Sequence, residues 1–211
     1  MAKERLIIAR AGNFGRELIS WAMDCHEAGR LPPIGGFIDE VVQELPGIPR
    51  LGGFYDYAPR AGDLFLICTG EPAVKKGMVE SLRERGARFA SLIHPTVVLG
   101  RTAKHGVGMI MCPYSMNTVD CVAGDFVTML SFSGLAHDCV AGDFTTISTH
   151  VDVMGHVTLG SEVFVGSGAR IMPHVRIGDR ARIGAGAVVV RNVKPDSTVF
   201  TAPAKVLRSG G

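Results

Sequence analysis

Little in this sequence marks a secreted, membrane-spanning or nucleic-acid-binding protein. Its five Cys in 211 residues form no CxxC pair and no even set, which argues against a disulfide framework or a zinc knuckle. Lys plus Arg number 22 and Asp plus Glu 20, so a net charge of +2 lacks the basic stripe that a phosphate backbone demands. No nucleic-acid partner is expected. No stretch approaches the roughly eighteen apolar residues of a membrane span, and Glu4 among the first charges spoils a signal peptide. The expectation is a soluble, cytoplasmic chain without a membrane partner. Aromatic residues are few as well, at 7 %, with one Trp.

Glycine is what the chain has in quantity, 27 residues, and many of them fall in a repeat. In a six-residue frame opened at Leu99, twelve of sixteen first positions through Val189 are Leu, Ile, Val or Met. Fifteen of sixteen fifth positions, from Ala103 to Val193, are Ala, Ser, Cys, Thr or Val. Gly fills eight second positions, among them Gly100, Gly142 and Gly184. A period of six fits neither the 3.6 of a helix nor the 2 of a sandwich strand. It is the signature of a parallel β-helix in which three hexads close one triangular coil. Sixteen hexads give about five coils, and at the spacing of paired strands the prism is about 25 Å tall. Cys121 and Cys139, one coil apart at fifth positions, are expected to stack inside it.

The residues before the repeat follow another rule. Apolar runs at Leu6–Ala9, Ile34–Ile38 and Leu64–Cys68 alternate with helical stretches, one running to about Ala28 and a charged one over Pro72–Gly86. Such alternation predicts a small parallel α/β sheet with ligands beyond the carboxyl ends of its strands. Lys75-Lys76 and Arg83–Arg85 read as a solvated face of the second helix. The joint between the two parts is expected near His94-Pro95. Arg10–Gly15, between the first strand and helix, is a weak phosphate-loop signal, because Arg replaces the first Gly of GxGxxG.

Five words carry a resemblance that covers nearly the whole chain: Arg10-Ala11-Gly12-Asn13-Phe14-Gly15-Arg16-Glu17, Gly36-Phe37-Ile38-Asp39-Glu40, Leu92-Ile93-His94-Pro95, His137-Asp138-Cys139-Val140-Ala141-Gly142-Asp143-Phe144 and Pro203-Ala204-Lys205. In this order they resemble the bacterial sugar acyltransferases with hexapeptide repeats, which include sialic acid O-acetyltransferases and nucleotide-aminosugar N-acetyltransferases. The resemblance implies a Rossmann-like α/β unit over residues 1–93 that holds a nucleotide-sugar, then a left-handed parallel β-helix acyltransferase unit over residues 94–211 with a C-terminal tail. It implies a homotrimer with active sites at subunit junctions and acetyl-CoA as co-substrate, in surface glycan biosynthesis.

Carried over residue by residue, the resemblance makes His137 the general base, with Asp138 beside it to raise its basicity and Gly155 offering a backbone N–H to the thioester oxyanion. It places Thr146, Ser167 and Ala185 against acetyl-CoA, with Thr146 standing where the family often has His. Gly12, Asn13, Phe14, Asp39, Glu40 and Gly70 fall on the nucleotide-sugar side. The alternatives are a sialic-acid-type O-acetyltransferase and a β-helix of another class, such as a metal-dependent carbonic anhydrase-like protein. The latter is raised by His137, His156 and His174, which the eighteen-residue spacing brings to one corner. No metal is expected.

Overall fold

The computed structural model describes residues 3–202 and Ala204, so Pro203 and Lys205 of the last word lie outside the described residues. Strands β1 (Arg5–Ala9), β2 (Ile34–Ile38), β3 (Arg50–Gly52), β4 (Asp63–Ile67) and β5 (Arg88–Phe89) form one parallel sheet in the order β3-β2-β1-β4-β5. Alternate side chains of β1 and β4 face opposite ways. Leu6, Ile8 and Leu66 pack with Leu18 and Ala22 of helix α1 (Asn13–Glu27), whereas Ile7, Ala9, Phe65 and Ile67 pack with Met78, Val79 and Leu82 of α2 (Pro72–Glu84). The β1-to-α1 turn is tight enough that a Cβ on Gly15 would collide with the Arg10 carbonyl oxygen. Arg10 itself adopts φ 72°, the left-handed conformation a glycine takes freely.

From Leu92 to Val199 the chain is a parallel β-solenoid of two-residue strands on three faces. The first face runs from Leu92–Ile93 to Thr198–Val199 in seven strands, the second from Val98–Leu99 to Val188–Val189 in six, and the third from Lys104–His105 to Arg176–Ile177 in five. Because Leu92–Ile93 already pairs with Ile110–Met111, the first coil starts two residues ahead of the expected joint. First and fifth hexad positions point inward, and Leu135, Cys139, Ile147, Val151, Val153 and Val157 are fully or almost fully buried. Each hexad then turns a corner at its fourth position, which takes a left-handed φ near 60° at Asp138, His156 and His174.

Two expectations need correction. The six-residue frame holds to Val189 and then loses two residues: Val193 bridges Ile177, and Thr198 pairs with Arg182, sixteen residues back. Asn192 causes the shortcut, its Oδ1 accepting the Arg176 N–H at 2.8 Å in place of a backbone carbonyl. The second correction concerns Lys75, which is not solvated but 1 % exposed. It lies on the stripe of α2 that includes Pro72, Met78, Val79 and Leu82, and its ammonium reaches across to the prism. There Nζ donates to Phe126 O (2.8 Å), Thr128 Oγ1 (2.9 Å), Thr146 Oγ1 (3.0 Å) and Thr145 O (3.4 Å). Lys76 pairs with Glu162 at 2.9 Å, and Arg83 stands over the Phe126 ring. The expected solvated face is thus a seam holding α2 to the solenoid.

Two predictions follow from burial. Asn117 sits inside the prism between Leu99 and Leu135 of adjacent coils, and both polar atoms of its amide lack a partner. Asn117→Leu should therefore raise the unfolding free energy by about 1–3 kcal/mol in urea denaturation, and a loss of stability would contradict this account. Burial pushes the Lys75 pKa down from 10.5 to about 7, against the pull of the Glu71 carboxylate. The unfolded chain then binds more protons between those values, and stability rises with pH across that window. Lys75→Met abolishes this dependence, so the stability difference in favour of the wild type should widen from pH 7 upward; a constant difference would refute it.

Candidate active site

The three edges of the prism carry different side chains, and the hexad positions decide which. The edge between the second and third faces carries His137 and Asp138, with Gly155-His156 and His174 in the next two coils. His137 Nδ1 and Asp138 Oδ2 are 2.8 Å apart, and His156 Nδ1 lies 3.8 Å from the same oxygen. The His137 and His156 rings meet edge to face at 5.1 Å, and His174 stacks on His156 at 4.8 Å. The hydrogen bond from His137 holds the Asp138 carboxyl below its usual range, helped by charge from His156. With Nδ1 committed to Asp138, Nε2 of His137 is the nitrogen left to accept a proton.

Gly155 makes room for that ring. A Cβ there would stand 2.6 Å from both Cε1 and Nε2 of His137. Its carbonyl accepts from His174 N at 3.2 Å, leaving the outward third position without a side chain. Among the described residues one donor group is compact enough for a metal ion: the ligand atoms of His137, Asp138 and His156 lie within 4.8 Å of one another, all three residues exposed.

The edge between the first and second faces carries a different column. Tyr114, Phe132 and His150 stack there at 5.2 and 4.9 Å, and Gly168 and Gly186 follow with no side chain. Ser167 and Ala185 sit on this edge beside an open groove of about 360 Å³, also lined by Ser148, Phe164, Arg182 and Thr198. Thr146 is not in it. Its side chain is buried under α2 with the hydroxyl against Lys75. The sequence offers no signal for Arg182, whereas the place of Lys75 on the apolar stripe of α2 is one that argues against a solvated lysine.

The residues expected on the nucleotide-sugar side gather at the carboxyl ends of β1, β2 and β4. Gly12 caps α1 without a side chain, so Gly12, Asn13 and Phe14 present helix-start N–H groups. Asp39, almost fully buried, accepts from Ala11 N at 2.6 Å and from Val41 N and Val42 N at 2.7 and 2.9 Å. Burial pushes its carboxyl up, and these three N–H groups outweigh it, so it stays below the ordinary carboxylate range. Asp39 thereby ties the Arg10–Gly15 loop to the next strand end. Arg10, Asp39, Glu40, Val41, Phe54 and Tyr55 help to line a cavity of about 180 Å³. Gly70, between β4 and α2, approaches the prism, where a Cβ would come 3.9 Å from the Thr146 methyl.

Residues 156–191 match the family model described as bacterial transferase hexapeptide (six repeats). No curated protein matches the chain in sequence. Among solved structures, the acetyltransferase domain of PglB from Neisseria gonorrhoeae FA1090 is 25 % identical, with 97 % of this chain and 100 % of that one covered and a TM-score of 0.86. The same domain in complex with acetyl coenzyme A is 24 % identical over 98 % and 100 %, also at 0.86. WeeI from Acinetobacter baumannii AYE gives 25 %, 97 % and 100 %, and 0.86. PerB from Caulobacter crescentus, in complex with CoA and GDP-perosamine, gives 23 %, 98 % and 99 %, and 0.84. The matched repeat and these neighbours support an acyltransferase, the class expected from the sequence.

The geometry at Gly155 generates a prediction. Gly155→Ala should push the His137 imidazole off Asp138 while leaving the thermal midpoint within a few degrees, because the new methyl is on the outside of the prism. Nitrogen NMR of the imidazole reads this directly; an unchanged Nδ1–H signal would show that Gly155 does not set the ring position.

Proposed function

We propose that the chain is an acetyl-CoA-dependent N-acetyltransferase acting on a nucleotide-linked amino-deoxysugar in surface glycan biosynthesis, working in the cytoplasm as a homotrimer. The observation that carries this reading is the His137–Asp138 pair, with its free Nε2 on an exposed edge cleared by Gly155. In the reaction the sugar amine attacks the thioester carbonyl of acetyl-CoA, forming the C–N bond. Nε2 takes the surplus proton from nitrogen, and Asp138 steadies the resulting imidazolium through Nδ1. The Gly155 N–H faces the carbonyl oxygen as it gains charge. Collapse breaks the C–S bond, and the proton held on His137 passes to the departing thiolate. Among the described residues all five Cys are buried, so acetyl passes directly between substrates with no covalent enzyme intermediate.

The trimer is supported by where the residues lie. Ser167 and Ala185 belong to one edge and His137 to another, so a coenzyme lying on the first meets the base only if a neighbouring prism brings its own His137 edge alongside. In this reading the Rossmann-like unit ahead of Leu92 holds the nucleotide. Helix-start N–H groups of Gly12, Asn13 and Phe14 take the diphosphate, Glu40 and the cavity beside Asp39 take the nucleoside, and Gly70 stands where the sugar passes to the left-handed β-helix that begins at Leu92. Binding energy from the nucleotide then positions the amine at His137.

The test is a panel of nucleotide-linked amino sugars with acetyl-CoA, followed by thiol release. His137→Ala should lower kcat by roughly 10²–10⁴ and leave coenzyme affinity unchanged; undiminished turnover would end the assignment. If an unlinked sugar such as sialic acid is acetylated as fast as any nucleotide conjugate, the O-acetyltransferase reading replaces this one. The cluster of His137, Asp138 and His156 favours a metal-dependent reaction as the second reading. Zinc retained at one per chain, with no thiol released from acetyl-CoA, would select it.

A further inference from the structure

One ion pair joins the two proposed binding regions. Glu71 follows Gly70 and precedes the first residue of α2, and its two carboxylate oxygens accept from Arg182 Nη1 and Nη2 at 2.7 and 3.0 Å. The Arg182 guanidinium also lies 4.7 Å over the Phe164 ring, from the coil below. It lines the groove beside Ser167 and Ala185 and is the one charged side chain among the residues lining it. A guanidinium receives a phosphate with the same two-pronged geometry as a carboxylate. Glu71 therefore stands where a phosphate of a ligand in the groove would stand.

The pair can be exchanged at low cost. Both side chains are nearly half exposed, 45 % for Arg182 and 41 % for Glu71, and such pairs contribute about 1 kcal/mol or less. The helix does not depend on it, because Lys75, one turn further along α2, stays anchored to Thr128 and Thr146. Glu71 keeps its carbonyl on Lys75 N at 2.9 Å, so opening the pair releases its side chain and leaves only Thr69-Gly70 ahead of it free to adjust.

Resting on the acyltransferase reading of the groove, we infer that Arg182 is a phosphate-binding residue for the coenzyme and that Glu71 is its internal competitor. Coenzyme entry exchanges the carboxylate for a phosphate and frees the Glu71 side chain beside Gly70 on the nucleotide side. The two sites are then coupled through one guanidinium, and the coupling is reciprocal.

The experiment is calorimetric titration of coenzyme A into the full-length protein and its Glu71→Gln, Arg182→Gln and Arg182→Lys variants. Removing the competitor should tighten binding about threefold to tenfold, while removing the guanidinium should weaken it by about tenfold or more, with Arg182→Lys in between. A pair with a merely structural role would move Glu71→Gln and Arg182→Gln in the same direction, and that result overturns the inference. Pantetheine, which lacks the phosphates, should bind all four proteins alike; an equal spread of affinities for pantetheine also overturns it. If the wild-type chain binds no coenzyme A, the coenzyme reading itself falls and the inference with it, whereas equal affinities across the variants remove the inference alone.

Discussion

Stacking of one coil on the next, at the roughly 4.8 Å spacing of hydrogen-bonded strands, is the constraint on which the rest depends. Once eighteen residues must return the chain to the same place one strand higher, every side chain has a fixed face, edge and height. His137, His156 and His174 come together for this reason, and Ser167 and Ala185 do so on a different edge. The same rule puts a left-handed backbone at fourteen of the sixteen fourth hexad positions, Thr102 and Asn192 being the exceptions. Eleven of those corners carry a side chain with φ of 55–63° and pay local strain for it, offset by buried apolar residues on both flanks.

Both helices of the α/β part bear on this prism, α1 through Asp24 and Cys25 against His94 and Ile93, and α2 through ties that differ in kind along its length. In the first turn of α2, Lys75 is enclosed by four oxygens and sealed from water. At its start, Glu71 holds Arg182 in the open. At the far end, Met78, Val79 and Leu82 share an apolar cluster with Phe126 of the prism. The helix is thus held to the prism from its first turn to its far end, and Glu71, which precedes it, is the exposed tie.

Much of this was legible in the sequence. The hexads announce faces and edges because inward positions tolerate only small or aliphatic side chains, and spacing by eighteen groups His137 with Gly155 and His156. The α/β strands at Leu6–Ala9 and Ile34–Ile38 stand out as apolar runs, but β3 and β5 do not, being short and covered by contacts that no local pattern encodes. Lys75 was misread because a lysine on a charged helix is usually solvated; its fate depends on Thr128 and Thr146, more than fifty residues away. The lost register after Val189 escaped notice because Val193 still satisfies the fifth-position pattern by composition, while the side chain of Asn192 decides the path.

That shortened last turn has a consequence for the molecule as a colloid. A solenoid ends in open strand edges, and an end with unbroken register is a template on which the first coil of another copy could add, chain upon chain. Here Val193 and the last described strand, Thr198–Val199, arrive after sixteen residues instead of eighteen, with Pro195 packed against Gly178. A second prism laid on this end would meet donors and acceptors out of phase on at least one side of the triangle. At the opposite end, Leu92 and Ile110 are buried against α1, which closes one face of the first coil. The altered register at one end and the helix over one face at the other leave a stacked copy fewer matching strands than a perfect repeat would offer.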